Sequence, residues 1–355
     1  MNRFQKNKEI IGGALIIMVL ILAGCGLKEE EVTLLETPYD KTAFLMGTYV
    51  SLRVYDEGKE DVLDLAVERI SELADKITTN EPNSEMDKVN EAAGVEALEV
   101  SEDVFTLVEA AHEYSTVTDG GFEYAIGPIT DLWRIGFDDA RVPDPEEIEA
   151  VLPLVDHTKV ELDTDNRTVF LQESGMKIDL GAIAKGYIAD EVKKLFIEKG
   201  VTTAIIDLGG NVVVMGDSPT REGGGFNVGV QDPFDSRGAY GAALNLQNQS
   251  IVTSGVYERY IEQDGEIYHH LMNPETGYPF ENELASVTII SDESIDGDAL
   301  STVVFGFGLE AGLEYVNNVD NIEAVFITKD KDVYTSDGLS ENFSLTNSDY
   351  DWINE

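Results

Sequence analysis

In Asp298-Ala299-Leu300-Ser301-Thr302 a carboxylate and a hydroxyl stand four residues apart, which puts both on one face of a helix. Hard oxygen donors at that spacing suit Mg²⁺, which keeps part of its coordination for water and substrate phosphates, and a backbone carbonyl exposed at a helix start, such as that of Ala182, would add a third ligand. The same pair also reads as a helix N-cap aspartate with an incidental threonine. A second concentration of chemistry is Asp179-Leu180-Gly181-Ala182-Ile183-Ala184-Lys185-Gly186-Tyr187. Gly181 falls where a strand-like run meets a helix, so free N–H groups and the positive end of the helix dipole favour an anion there. Lys185 lies about one turn inside, within reach of the same phosphate. Junctions of this kind also occur in α/β folds without any ligand. Third, His269-His270 follow Ile267-Tyr268 and precede the turn-forming run Asn273 to Pro279, which would hold an imidazole rigidly at a pocket rim. Neighbouring residues on a strand point to opposite faces, so at most one of the two is a general base. His112, in a helix with apolar neighbours, and His157, in a polar turn, read as structural or exposed.

The elements that must position these groups are short and irregularly interleaved. Period-two patterns predict strands at Thr48 to Tyr55, Val169 to Leu171, Met176 to Leu180, Thr203 to Leu208, Asn211 to Met215, Ala285 to Ile290 and Ala324 to Thr328. Helical spacing predicts Asp61 to Ile77, Glu102 to Thr116, Ile183 to Lys199, Asp298 to Val304 and Leu309 to Asn318. The uneven alternation predicts an α+β fold rather than a regular doubly wound sheet. Gly209-Gly210 ends a strand and lets a ligand come close to the backbone, whereas Gly223 to Gly225 reads as a surface turn.

Composition narrows the function. The chain carries 69 acidic and 24 basic residues, net −45. A nucleic-acid role is excluded on that balance, because duplex binding needs basic side chains to displace counterions. The apolar fraction of 43% supports a real core in one large unit. Cys25 is the one cysteine, so intrachain disulfides, a catalytic thiol and a cysteine metal site are all ruled out for the body of the chain. Arg3, Lys6 and Lys8 precede an uncharged stretch from Ile10 to Leu27 that includes Leu22-Ala23-Gly24-Cys25. This resembles a bacterial lipoprotein signal, in which the cysteine is lipidated and becomes the N-terminus; a retained membrane helix is the other reading.

Together the segments resemble the ApbE family, the FAD:protein FMN transferases. They are Met46-Gly47-Thr48, Gly127-Pro128 with Leu132-Trp133, Asp179 to Tyr187, Leu208 to Asn211, Thr253-Ser254-Gly255 with Tyr257 to Tyr260, His269-His270 with Pro274 and Thr276 to Pro279, and Asp298 with Leu300 to Thr302. The likeness runs over residues 42 to 335 in the family's order. It implies a single large ApbE-like, T-fold-related α+β domain with mixed sheets and a flavin-binding cleft over 42–343. Before it come a signal peptide at 1–24 and a lipidated Cys25 with a tether at 25–41; an acidic tail, read as a loose end, follows at 344–355.

The resemblance also implies site roles. Met46 and Glu123-Tyr124-Ala125 would contact FAD, with Asp179 and Lys185 beside it and Met272 lining the flavin or adenine pocket. The Ala182 carbonyl, Asp298 and Thr302 would hold Mg²⁺, and His270 would be the base. Glu123-Tyr124-Ala125, Asn273 and Asp207 depart from the family's usual residues. The implied reaction is Mg²⁺-dependent transfer of FMN from FAD to a Ser or Thr hydroxyl of a client protein, with release of AMP. FAD pyrophosphatase activity and non-catalytic flavin binding are the alternatives. Clients would be electron-transfer flavoproteins carrying a Ser/Thr-Gly-Ala-Ser/Thr-like motif, and the enzyme would be lipid-anchored on the outer face of the cell membrane or facing the periplasm.

Overall fold

The computed structural model describes residues 32–221, 224–339 and 342–353. Nine strands of the main sheet lie side by side in chain order: β1 (Leu34–Leu45), β2 (Thr48–Asp56), β3 (Ala204–Leu208), β4 (Asn211–Met215), β5 (Ser250–Gly255), β6 (Leu284–Ser291), β7 (Ile322–Thr328), β8 (Asp332–Thr335) and β9 (Asp351–Trp352). Every neighbouring pair is antiparallel except β8 and β9. The meander is interrupted by insertions, and these carry the functional groups. Between β2 and β3 come α1 (Val62–Ile77), α2 (Glu85–Glu91), α3 (Glu102–Val117), α4 (Gly127–Trp133), α5 (Pro145–Val151) and α6 (Ala184–Glu198); α7 (Ser294–Phe307) and α8 (Leu309–Asn317) join β6 to β7. Hairpins at Phe226–Leu246 and Tyr260–His269 fall on either side of β5.

Period-two alternation decides what each sheet face covers. Val50, Leu52, Val54, Ile206, Leu208 and Val213 point into one core with α1, α3 and α6, while Val287, Ile289, Ala324 and Phe326 pack under α7 and α8. From the opposite face Tyr55, Val214, Ile251, Ile290, Val325 and Ile327 meet the small sheet of Phe226–Gln231, Tyr240–Leu246 and Phe343–Leu345. In α1 the buried Val62, Leu63, Ala66, Ile70, Leu73 and Ile77 recur at helical spacing. Each of the larger ones contributes roughly 2 kcal/mol by leaving water. The fold is α+β, as expected from the irregular alternation.

Four local expectations change. The tether expected to run to residue 41 gives way at Leu34 to β1, whose residues 39–45 pair with β2, because an unpaired β2 edge would leave ladder groups unsatisfied. The tail expected to be loose is part of the fold: Phe343–Leu345 pairs with Tyr240–Leu246, β9 pairs with β8, Tyr350 is buried, and Trp352 packs on Phe343. Met176 to Leu180 joins no ladder, making one isolated bridge from Lys177 to Ile126, and its alternation instead turns Met176, Ile178 and Leu180 into the core. Asp298 lies one turn inside α7, which starts at Ser294, and so is not its N-cap. Residues 1–24 and Cys25 lie outside the described residues. Among the described residues no helix is long and apolar enough to cross a membrane.

Candidate active site

Two helix N-termini are clamped against each other at the centre of the site. Asp190 on α6 accepts from the N–H groups of Ser294 and Ile295, both at 2.8 Å, at the start of α7. Asp298 on α7 accepts from the Gly186 N–H at 2.9 Å in the first turn of α6. Each aspartate thus satisfies orphan donors of the other helix, where its charge also meets the positive dipole end. Gly186 allows the approach: a Cβ there would stand 2.4 Å from the Ser294 carbonyl oxygen. Asp190 is deeply buried, and that burial raises its carboxyl to about 7 against the pull of the two amides.

Asp298 is buried on a helix that is buried nearly all round, so it needs a partner. Lys185 supplies one, its Nζ at 3.2 Å from Asp298 Oδ1 while it also donates to Asn211 Oδ1. Asn211, at the head of β4, keeps its buried Nδ2 without a hydrogen-bond partner among the described residues. A donor left in that state costs about 1–3 kcal/mol unless a ligand accepts from it. A phosphate oxygen beside Lys185 would do so. The turn Leu180 to Ile183 leads into α6 and is braced by Asp179, which accepts from the Gly181 N–H at 2.8 Å and the Thr130 hydroxyl at 2.7 Å.

The two histidines divide as neighbours on a strand must. His269 is buried with both ring nitrogens engaged: Nε2 with the Phe280 carbonyl at 3.0 Å, and Nδ1 accepting from Leu271 N–H at 3.3 Å. Its ring sits edge-on to Phe305. His270 Nδ1 lies 3.2 Å from the Arg259 carbonyl, which can only accept, so Nδ1 carries the proton and Nε2 the lone pair. Burial, with the Arg259 cation beside it, pushes His270 down to about 4. At neutral pH it is an uncharged acceptor.

One cleft of about 1630 Å³ brings most of the expected residues together: Met46, Glu123, Asp179, Ala182, Lys185, His270, Met272, Asp298 and Thr302 all line it. Met46 occupies the two-residue turn between β1 and β2, with φ of +54° followed by +69° at Gly47. Such a turn matches the strand twist, but the left-handed conformation is strained for methionine and fixes where its side chain goes. The donors of Ala182, Asp298 and Thr302 are a carbonyl, a carboxylate and a hydroxyl, a hard set suited to Mg²⁺. Among the described residues no three His, Cys, Asp or Glu side chains gather as a metal site.

Tyr124 and Ala125 do not line the cleft. Both are fully buried, and the Tyr124 hydroxyl lies 3.0 Å from His112 Nδ1 in the core. The Glu123 carboxylate is occupied too, accepting from the Ala125 and His157 N–H groups and paired with His157 Nδ1 at 2.7 Å. Tyr124 and Ala125 form a turn, tied by the Ala125 N–H to the Glu123 carboxylate, that carries both into the core, so of these three residues only Glu123 meets the cleft. Sequence reading gave no role to Asn211, Thr130 or Arg259. For Asn211 a clue was present, since it directly follows Gly209-Gly210, where the backbone is open to a ligand.

The sequence model of the ApbE family matches residues 46–326. The chain is 41% identical over 315 residues to a FAD:protein FMN transferase of Klebsiella pneumoniae, covering 89% of this chain and 97% of that one. With a FAD:protein FMN transferase of Treponema pallidum it shares 32% identity over 338 residues, 91% and 93% of the two chains. The crystal structure of the ApbE protein from Thermotoga maritima superposes with a TM-score of 0.78 at 29% identity, over 86% of this chain and 99% of that one. A flavin transferase ApbE from Vibrio cholerae has the same fold, with a TM-score of 0.76 at 24% identity over 86% and 99%.

Proposed function

The chain belongs to the ApbE family and is a flavin transferase, and we propose that it transfers FMN from FAD to a serine or threonine hydroxyl of another protein. The observation that carries this reading is the convergence on one cleft of a phosphate cradle, a hard-oxygen donor set and an uncharged histidine. Lys185 and the unpartnered Asn211 Nδ2 bind pyrophosphate oxygens, and the Gly181 turn orients them. The acceptor hydroxyl gives its proton to His270 Nε2 as its oxygen attacks the FMN-side phosphorus. The bond from that phosphorus to the bridging oxygen breaks, and AMP leaves with the electron pair. Lys185 neutralises charge that builds on the phosphoryl oxygens, the main demand in this chemistry. Mg²⁺ held by the Ala182 carbonyl, Asp298 and Thr302 would supply further charge neutralisation there.

In the same reading Cys25 is lipidated after residues 1–24 are removed, and the enzyme works at the outer face of a bacterial membrane on clients with a Ser/Thr-Gly-Ala-Ser/Thr-like motif. Loss of lipid labelling in Cys25→Ala would support the anchor, and undiminished labelling would remove it. The test of the reaction mixes the full chain, FAD, Mg²⁺ and an acceptor domain bearing a Ser-Gly-Ala-Thr segment, read by intact mass. The expected result is a gain on the acceptor equal to FMN minus water, lost in Asp298→Ala. Free FMN and AMP with an unmodified acceptor would identify a pyrophosphatase instead, and FAD bound but unchanged would identify a flavin-binding protein.

A further inference from the structure

The second face of the main sheet is covered unevenly, and the uncovered part leads to the site. Along β2, Tyr55 is roofed by Phe226 of the small sheet, with rings 5.6 Å apart, but Arg53, Ser51 and Tyr49 on the same face have no such cover. Tyr49 is 68% exposed and makes an edge-to-face pair with its cross-strand neighbour Phe44, 64% exposed, at 5.3 Å. Tyr240, 54% exposed, lines the same cavity, its ring over Gly229, where a Cβ would come within 2.2 Å of it. Large aromatic side chains left in water along one channel are a contact surface rather than a core.

The channel is continuous with the catalytic cleft: one cavity is lined by Phe44, Tyr49, Arg53 and Tyr240 and also by Asp298 and His270. Its volume of about 1630 Å³ exceeds the roughly 300–1,000 Å³ of an ordinary ligand pocket, leaving room for a second occupant beside a dinucleotide. Gly210 also lines this cavity and has nothing within 4 Å of where a Cβ would be, so a chain can lie directly on the backbone. Arg53 makes no ion pair among the described residues and offers its fork to carbonyl groups.

We infer that this channel is the track of the acceptor protein: an extended segment of small residues bearing the hydroxyl enters between Phe44–Tyr49 and Tyr240 and reaches the phosphorus over Gly210. The inference rests on the proposed transfer and adds where its second substrate binds. Phe44, Tyr49 and Tyr240 are solvent-exposed, so their removal leaves the core intact. The experiment measures FMN transfer by the full chain, by Phe44→Ala/Tyr49→Ala and by Tyr240→Ala, using the Ser-Gly-Ala-Thr acceptor domain, with FAD affinity titrated separately by flavin fluorescence. The track predicts a KM for the acceptor raised about tenfold or more in each variant, the size of a lost aromatic anchor, with kcat at saturating acceptor and the Kd for FAD within about twofold. An unchanged acceptor KM would overturn it, as would a matching loss of FAD affinity, which would make the rings part of the flavin site. Wild-type chain that binds FAD and transfers nothing would take down the proposed function and this inference together. Wild-type transfer with unaltered variants takes down the track alone.

Discussion

Replacing Gly186 by alanine sets one methyl group against the crossing of α6 and α7. Its Cβ would stand 2.4 Å from the Ser294 carbonyl oxygen and 2.7 Å from the Ile295 Cα, both backbone atoms that no side-chain rotation can clear. A comfortable carbon–oxygen contact is about 3.3 Å, so the helices must part by about 0.9 Å. The 2.9 Å bond from Gly186 N–H to Asp298 would then stretch beyond hydrogen-bond range. Overpacking costs about 1–3 kcal/mol and the lost bond to a charged acceptor about 1.5–3, while the better helix propensity of alanine returns about 1. The net loss is near 3 kcal/mol, which for a folded body of this size lowers the melting temperature by about 4–5 °C. The same displacement moves Asp298 on α7 away from Lys185 and the Ala182 turn on the α6 side, so the Kd for FAD with Mg²⁺ present rises about tenfold or more. Differential scanning fluorimetry and a flavin fluorescence titration read the two effects. A variant melting within 1 °C of the unmodified chain and binding FAD equally well would refute the reasoning, since no crossing that tight could absorb a methyl group at no cost.

Lys185→Met removes the cation shared by Asp298 and Asn211, and FAD affinity measured by titration should fall about tenfold to a hundredfold. Since only neutral His270 can accept a proton, and burial holds it near 4, the transfer rate should be level from about pH 5.5 to 8 with its acid limb near 4; a limb centred on 6.5 would count against this environment. Asp190→Ala leaves the Ser294 and Ile295 N–H groups without acceptors and should cost roughly 3 kcal/mol in chemical denaturation. Asp190→Asn should expose a hidden pH slope. In the unmodified chain the raised Asp190 binds its proton more readily folded than unfolded, a stabilisation lost as pH rises through about 7. His269 and His270, both lowered to about 4, give the opposite: stability lost as pH falls from the unfolded value of about 6.5 towards 4. With Asp190 removed, stability between pH 4 and 7 should climb more steeply with pH.

The parts of the fold legible in the sequence are those where one physical rule dominates. The repeat of Val62, Ala66, Ile70 and Leu73 marks α1, and the β-branched run Val212-Val213-Val214 marks β4 at its ends. Met176 to Leu180 shows where that fails: alternation records burial, and a segment with one face in the core alternates as a ladder strand does. Asp298 looks like a cap because aspartate is favoured there. Its actual stability comes from Gly186 and Lys185, more than a hundred residues away, a contact that no local pattern encodes. For the same reason Tyr124 cannot be told from a ligand contact by sequence. Its hydroxyl is satisfied by His112, and that partner is set by tertiary packing.

The double clamp also sets a time at which the protein becomes able to hold its cofactor. Asp190 and the amide it grips at Ser294 are 104 positions apart, and Lys185 and Asp298 are 113. A ribosome adding about 5–20 residues each second needs on the order of 5–20 s to pass from one to the other. Through that interval the glycine turn and Lys185 have emerged without the wall that faces them. A nascent or truncated chain that stops short of α7 therefore lacks half of the cradle, and flavin binding reports that synthesis has passed α7 and that α6 and α7 have met.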